Sequence, residues 1–155
     1  MNKLIIKVVA IVAAFYTFSI ARASEQETID LLIAGNGPTN IVSSVTSTRA
    51  YAFAFNRTVE SVTLPELKHP AAMMFNGCAS LRVVSMPALA NTPEVERCLV
   101  GMFSGCPRLE AVDLTGIEYE TANITLPLGV PPTNRKVRFH FKDGIRDANG
   151  EVVAE

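Results

Sequence analysis

One segment occurs three times in the chain, and each copy begins at a phenylalanine. The copies start at Phe53, Phe75 and Phe103, and the second interval between them is longer than the first. Apolar side chains recur six, nine, eleven and fourteen positions after each phenylalanine. These positions hold Val59, Leu81 and Leu109; Val62, Val84 and Val112; Leu64, Met86 and Leu114; and Leu67, Leu89 and Ile117. Because one copy is too short to bury its own apolar residues, successive copies are expected to stack.

Each copy predicts one turn of a coil, which we call a rung. The apolar residues nine and eleven positions after the phenylalanine alternate with a polar one, as in a short strand with one face inward. Gly77 and Gly105 supply turn chemistry after the aromatic residue, and Pro65 and Pro87 end the strands where an amide donor is no longer needed. The longer second interval predicts an insertion of about six residues, which we place at residues 91–98.

The pattern Phe-x-Gly-Cys-x-x-Leu-x-x-Val-x-Met/Leu resembles the BspA-like leucine-rich repeats of bacterial surface and secreted proteins. The resemblance covers residues 41–117, and residues 45–53 match the approach to a repeat in that family. The first copy departs from the pattern, because Phe55 and Asn56 stand where the other copies have Gly-Cys. The resemblance and the spacing together predict a β-rich solenoid, mainly β and irregular, coiled right-handed over about three to four rungs. The resemblance also implies adhesion or host interaction for some family members.

The segments that flank the repeats predict caps. Residues 24–44 carry an apolar cluster followed by a Gly- and Pro-rich breaker, and we interpret them as an N-terminal cap, either a strand or a short helix. The leucine-rich repeats are assigned to residues 45–127, within which residues 124–127 are interpreted as a degenerate fourth rung. Residues 128–155 are assigned to a C-terminal cap.

This C-terminal cap is expected to be a β-hairpin. Val137, Phe139 and Phe141 alternate with polar residues, which predicts a half-buried strand. Asp143 and Gly144 follow as a turn. Without such a cap, the last rung would expose apolar surface and a strand edge.

Residues 1–23 are typical of a secretory signal. Lys3 and Lys7 supply a positive start, residues 8–15 are an unbroken apolar run, and Ala21 and Ala23 are the small residues that signal peptidase reads. Cleavage is expected after Ala23, which predicts a secreted, periplasmic or cell-surface protein. The alternative is an uncleaved anchor at residues 4–20, a length at the short end of what spans a bilayer.

The charge balance argues against two classes of partner. The formal net charge of the chain is -1, and without the three cations that precede Ser24, 11 Lys and Arg remain against 15 Asp and Glu. No Lys/Arg cluster stands out in the sequence, and phosphate contacts need concentrated positive charge. We therefore expect neither a nucleic-acid partner nor, after signal cleavage, a membrane.

Cysteine and histidine give no pattern typical of a catalytic, cofactor or metal site. Cys78 and Cys106 occupy the same repeat position, so they are either two buried thiols or a disulfide between neighbouring rungs. Cys98 lies in the insertion, and its state is open. The two histidines, His69 and His140, lack the spacing of a zinc site. We expect no cofactor, no metal and no enzymatic activity.

Polar residues at outward positions of the rungs form two rows. The first lane is Glu60, Arg82 and Glu110, and the second lane is Thr63, Ser85 and Asp113. Stacked strands present such rows as a recognition surface in solenoids. The alternative interpretation is a solvated face whose charges stabilise neighbouring strands.

The two lanes are the candidate binding face, and they lead to a prediction of function. We predict an exported binding module that mediates protein or glycan interaction at the cell surface or outside the cell. The alternative is a structural subunit of a surface or periplasmic assembly without enzymatic activity. The sequence leaves the oligomeric state open.

Overall fold

The computed structural model describes residues 30, 39–119, 128–130, 134 and 136–153. Six strands form one sheet, and their order in the sheet is their order along the chain. The elements are β1 (Asn40–Val42), β2 (Ser61–Thr63), β3 (Val83–Ser85), helix α1 (Pro93–Leu99), β4 (Ala111–Leu114), β5 (Arg138–Phe141) and β6 (Gly144–Arg146). The first five strands run parallel, and β6 is antiparallel to β5. The sheet is not closed, and the expected β-rich class is confirmed.

Equivalent positions of the three copies lie side by side in the sheet. Val62 is the register partner of Val84, and Val84 is the partner of Val112. The column extends to Ile41 in β1 and to Phe139 in β5. All five side chains are buried, so the centre of each strand contributes one residue to a continuous apolar core. Transfer of each such side chain from water stabilises the fold by roughly 1.5–3 kcal/mol.

The phenylalanines that begin the copies form a second column. The ring centroids of Phe53 and Phe75 are 5.2 Å apart with planes inclined by 12°, and those of Phe75 and Phe103 are 5.5 Å apart with planes inclined by 8°. Phe103 meets Phe139 at 6.4 Å in a tilted arrangement. All four rings are buried. The stack therefore joins the turn segments of successive copies, as the valine column joins their strands.

The turn that follows each phenylalanine uses the left-handed backbone conformation. The residue two positions after the phenylalanine has φ 61° at Phe55, 72° at Gly77 and 74° at Gly105. Glycine adopts this conformation without steric cost, whereas a side chain costs about 1–2 kcal/mol. A Cβ atom on Gly105 would also lie only 3.1 Å from the Cα atom of Gly77. The turn chemistry predicted for the second and third copies is present.

The longer interval between the second and third copies contains helix α1. The side chain of Thr92 accepts a hydrogen bond from the amide of Val95 at 3.2 Å, and Pro93 occupies the first turn, where no amide donor is needed. Val95 and Leu99 are buried against the core. The helix overlaps the predicted insertion at residues 91–98, and β4 keeps its register with β3.

Strands β5 and β6 form an antiparallel hairpin, and its turn lies at Lys142 and Asp143, one residue earlier than predicted, because Gly144 already pairs with Phe141 as the first residue of β6. Burial alternates along β5, with Phe139 and Phe141 buried and His140 half-buried between them. The ring of Tyr119 packs against Phe141 at 5.1 Å. The guanidinium of Arg146 lies 4.2 Å from the centre of the same tyrosine ring. The predicted C-terminal hairpin is therefore present.

Three predicted segments lie partly or wholly outside the described residues: the signal, the degenerate fourth rung and the N-terminal cap. The signal at residues 1–23 and the degenerate fourth rung at residues 124–127 lie wholly outside. In the described sheet, β4 pairs with β3 on one side and with β5 on the other. The N-terminal cap falls within the description only at Asp30 and from Thr39 onward, where its last part forms β1. Within the described ranges, no helix has the length and apolar character needed to cross a membrane.

Candidate functional site

The first lane lies one residue before the strands rather than within them. The Arg82 amide donates to the Glu60 carbonyl at 2.8 Å, and the Glu110 amide donates to the Arg82 carbonyl at 2.8 Å. These bonds hold the three residues at matching places on neighbouring copies, and all three side chains are exposed. The sequence predicted a row of neighbours, and the structure brings these residues together.

Arg82 and Glu110 form a two-pronged ion pair. The Arg82 Nε and Nη2 atoms donate to Glu110 Oε1 at 3.0 and 2.9 Å, and Nη2 also donates to Oε2 at 3.1 Å. About half of each side chain remains exposed. An exposed ion pair of this kind contributes about 0.2–1 kcal/mol to stability. It fixes the guanidinium in place and neutralises the Glu110 carboxylate, which leaves Glu60 without a described ionic partner.

The second lane is half-buried and hydrogen-bonded. Thr63, Ser85 and Asp113 are successive register partners, and His140 continues the row in β5. The Ser85 hydroxyl donates to Asp113 Oδ2 at 2.7 Å. The amide and hydroxyl of Thr115 donate to Asp113 Oδ1 at 3.1 and 2.8 Å. The carboxylate is thus committed to neighbours on both oxygens.

These hydrogen bonds set the ionisation of Asp113. Burial disfavours the charged carboxylate, but the bonds from Ser85 and Thr115 outweigh it and hold the pKa of Asp113 below its usual range. The residue is ionised at neutral pH and acts as an acceptor within the sheet. A carboxylate already bonded on both oxygens is a poor candidate for a general base.

The structure shows a third row of outward residues that the sequence analysis did not predict. Ser61, Val83 and Ala111 are register partners, and Arg138 continues the row in β5. These residues stand two positions before the second lane, so the alternation of strand side chains places them on the same face. The signal for this row was present in the spacing of the second lane. The row makes the face broader and more apolar than the two predicted lanes alone.

A groove runs beside the first lane. It encloses about 370 Å³ and is lined by Glu60, Arg82, Glu110, Pro107, Arg108, Leu109, Asn134 and Lys136. The Asn134 side-chain amide donates to the Leu109 carbonyl at 2.8 Å, which fixes the far wall of the groove to the segment that leads into β4. Val137 is buried at the position where a fourth member of the first lane would stand. The lane therefore ends at Glu110, and the groove lies at that end.

Two of the three cysteines are buried, and their thiols donate hydrogen bonds to backbone carbonyls. Cys78 and Cys106 are buried, and all three cysteines carry free thiols. The Cys78 thiol donates to the Phe53 carbonyl at 3.0 Å, and the Cys106 thiol donates to the Phe75 carbonyl at 2.9 Å. The hydrogen bond with Cys106, followed by burial, raises the pKa of Cys78 far above its usual range. These contacts agree with the interpretation as buried thiols, and no disulfide joins the pair.

The histidines do not form a site. His69 is exposed, and its Nδ1 atom lies 3.9 Å from a Glu94 carboxylate oxygen. His140 belongs to the outward face of β5. Over the part of the chain that the structure describes, no group of three or more His, Cys, Asp or Glu side chains is arranged to hold a metal ion.

A second open cavity of about 570 Å³ lies at the β1 end of the molecule. Its lining includes Tyr51 and Phe55, whose side chains are 55% and 68% exposed. An ion pair between Arg49 and Asp30, at 3.0 Å, forms another part of the lining. Tyr51 and Phe55 both have a φ of 61°.

The comparisons with known proteins give no relative. No protein family model, no curated protein and no solved structure matches the chain.

Proposed function

We propose that this protein is a short BspA-like leucine-rich-repeat solenoid that binds a protein or a glycan through its outward strand face. The observation that carries the proposal is the parallel, in-register pairing of the three copies, with Val62, Val84 and Val112 buried as one column. Such pairing places every copy's outward residues in rows. Rows of this kind are the recognition surfaces of repeat proteins.

The character of the face supports binding over a purely solvated surface. The two lanes combine a fixed guanidinium, a free carboxylate and hydroxyl groups on neighbouring copies. The groove beside the first lane falls within the 300–1,000 Å³ size of ligand pockets. Fixed polar groups next to a concave surface lose little conformational entropy on binding.

Charge reversal on the face tests this proposal. The variant Glu60→Arg, Arg82→Glu and Asp113→Lys is compared with the unmodified protein on arrays of glycans and of extracellular proteins. A matched control reverses Glu66, Lys68 and Glu151, which are exposed, lie outside the lanes and change the net charge by the same amount. We expect a ligand of the unmodified protein that the control retains and the face variant loses. Retention of every ligand by the face variant would refute the proposed face.

We further propose that the protein is exported and that its signal is removed after Ala23. The positive start, the apolar run and the small residues before Ser24 support this. Expression of the full chain in a bacterium, followed by mass spectrometry of the exported fraction, should yield a chain that starts at Ser24. Recovery of the intact chain in the membrane fraction would instead support the anchor.

A structural role in an assembly is the second candidate, and one observation favours it. Val42 in β1 and Val152 beside β6 are 70% and 71% exposed, and they lie at opposite ends of the sheet. Apolar residues at both ends suit head-to-tail contact between copies. Self-association that rises with concentration in sedimentation experiments, and that Val42→Lys abolishes, would favour this role.

A further inference from the structure

The groove at the end of the first lane holds an excess of positive charge. Arg108 and Lys136 line it, and both side chains are exposed. Neither makes an ion pair or a side-chain hydrogen bond in the described part of the chain. Arg82 is neutralised by Glu110, so Glu60 is the one remaining carboxylate of the described lining. Two free cations thus face one free anion, on a protein whose residues after Ala23 are acidic in sum.

The fold explains why these cations meet. Arg108 belongs to the segment that leads into β4, and Lys136 belongs to the segment that leads into β5. Because β4 and β5 are parallel neighbours, the segments that precede them lie side by side. The Asn134 bond to the Leu109 carbonyl joins the two segments directly. The two cations are therefore held on a common wall by backbone pairing, although they stand far apart in the sequence.

The lining favours one chemical class of partner. A guanidinium and an ammonium both pair with carboxylates, and the guanidinium does so through two parallel hydrogen bonds. None of the described lining residues is aromatic, and an aromatic ring is what would pack on the apolar face of a sugar. Asn134 donates through its amide to Leu109, so its Oδ1 atom can accept a peptide N–H. These features fit a peptide better than a glycan.

We infer that this groove binds an acidic peptide segment whose carboxylates pair with Arg108 and Lys136. The inference rests on the proposed binding function and names the partner class for the first lane. Arg82 and Glu110 also line the groove, and their mutual ion pair occupies the Arg82 guanidinium.

Fluorescence anisotropy with a labelled peptide of ten glutamates tests the inference on the full chain. A peptide of ten glutamines and an oligomer of galacturonic acid serve as comparison ligands. The groove variant is Arg108→Glu with Lys136→Glu, and the control is Lys68→Glu with Arg97→Glu, which changes the net charge equally outside the groove. Thermal unfolding followed by circular dichroism checks that both variants remain folded.

We expect the glutamate peptide to bind and the glutamine peptide not to bind. The groove variant should bind on the order of tenfold more weakly, while the control binds as the unmodified protein does. Raising the salt from about 20 to about 300 mM should weaken binding, because the screening length falls from about 20 to about 6 Å. Equal losses in both variants would overturn the inference, because they would indicate a general charge effect.

Other outcomes separate this inference from the proposed function. Binding of the galacturonate oligomer without the glutamate peptide would overturn the choice of a peptide and leave the groove as a site for acidic glycans. Absence of binding by either acidic ligand would overturn the inference, while a ligand lost on reversal of Glu60, Arg82 and Asp113 would still support the proposed face. If the face variant keeps every array ligand and the groove variant keeps the glutamate peptide, both the proposed face and the inferred groove are overturned.

Discussion

Replacing Phe75 by leucine tests whether the phenylalanine column stabilises the fold. The ring is buried between Phe53 at 5.2 Å and Phe103 at 5.5 Å, nearly parallel to both. Leucine keeps most of the apolar volume but removes both ring contacts. Alanine would be less informative, because its cost of about 3–5 kcal/mol approaches the total stability of many domains.

The expected cost follows from the contacts. A hydrophobic swap of similar volume in a core costs about 1 kcal/mol, and each lost contact between rings adds about 1 kcal/mol. Phe75→Leu therefore lowers the free energy of unfolding by about 3 kcal/mol. Phe53 has one described ring partner, so Phe53→Leu is expected to cost about 2 kcal/mol. Phe55→Leu alters an exposed residue and is expected to change stability by less than about 0.5 kcal/mol.

Urea unfolding followed by circular dichroism measures the three variants and the unmodified protein. If the slope of the unfolding free energy against urea concentration is the same in all four proteins, the variants unfold from the same native state. The predicted order of cost is Phe75→Leu, then Phe53→Leu, then Phe55→Leu. A cost of Phe75→Leu no greater than that of Phe55→Leu would refute the stacked column.

Three further predictions follow from the described contacts. Gly116→Ala should destabilise the protein by about 3 kcal/mol in urea unfolding, because its Cβ would clash with the Leu89 carbonyl oxygen. An unchanged midpoint would contradict that close approach. The lowered pKa of Asp113 stabilises the fold above the ordinary carboxyl pKa of about 4, and this stabilisation is lost as the pH falls through the folded-state pKa. Ser85→Ala should reduce that loss when urea midpoints are compared between neutral and acidic pH, and an identical pH profile would count against the hydrogen bond. In native protein a thiol reagent should modify Cys98 first, because the other two thiols are buried; rapid labelling of all three would show that the core is open.

The repeat register could be predicted because its signal is local and redundant. Four apolar positions recur in each copy, and a shift of one residue would turn Val62, Val84 and Val112 toward solvent. The hairpin could be predicted for a similar reason, since Phe139 and Phe141 alternate with polar residues before a turn. Both the repeat and the alternation in β5 indicate which side chains are buried. Burial in turn determines the strand register, because a one-residue shift would expose those side chains.

Other features depend on contacts that no local pattern encodes. Strand β1 was assigned to the N-terminal cap, although Ile41 precedes Val62 by nearly the same interval that separates Val62 from Val84. The sequence predicted the length of the insertion but not helix α1 within it. The local signal for that helix is Thr92, a capping residue, directly before Pro93. The groove needed the pairing of β4 with β5, because only that pairing brings Lys136 beside Arg108. The candidate lanes were found, but the cations that give the face its charge were not.

The first copy departs from the repeat for a physical reason. In the second and third copies the turn position is glycine, and a Cβ atom on Gly105 would lie only 3.1 Å from the Cα atom of Gly77. At the first copy the position holds Phe55, whose backbone bears the strain of a φ of 61°. Its ring lies where a Cβ on Gly77 would come within 2.7 Å, so the ring covers the backbone of that glycine. Phe55 is 68% exposed, so the first copy has room for a side chain at this position, whereas the Gly77 backbone leaves little room for one at Gly105.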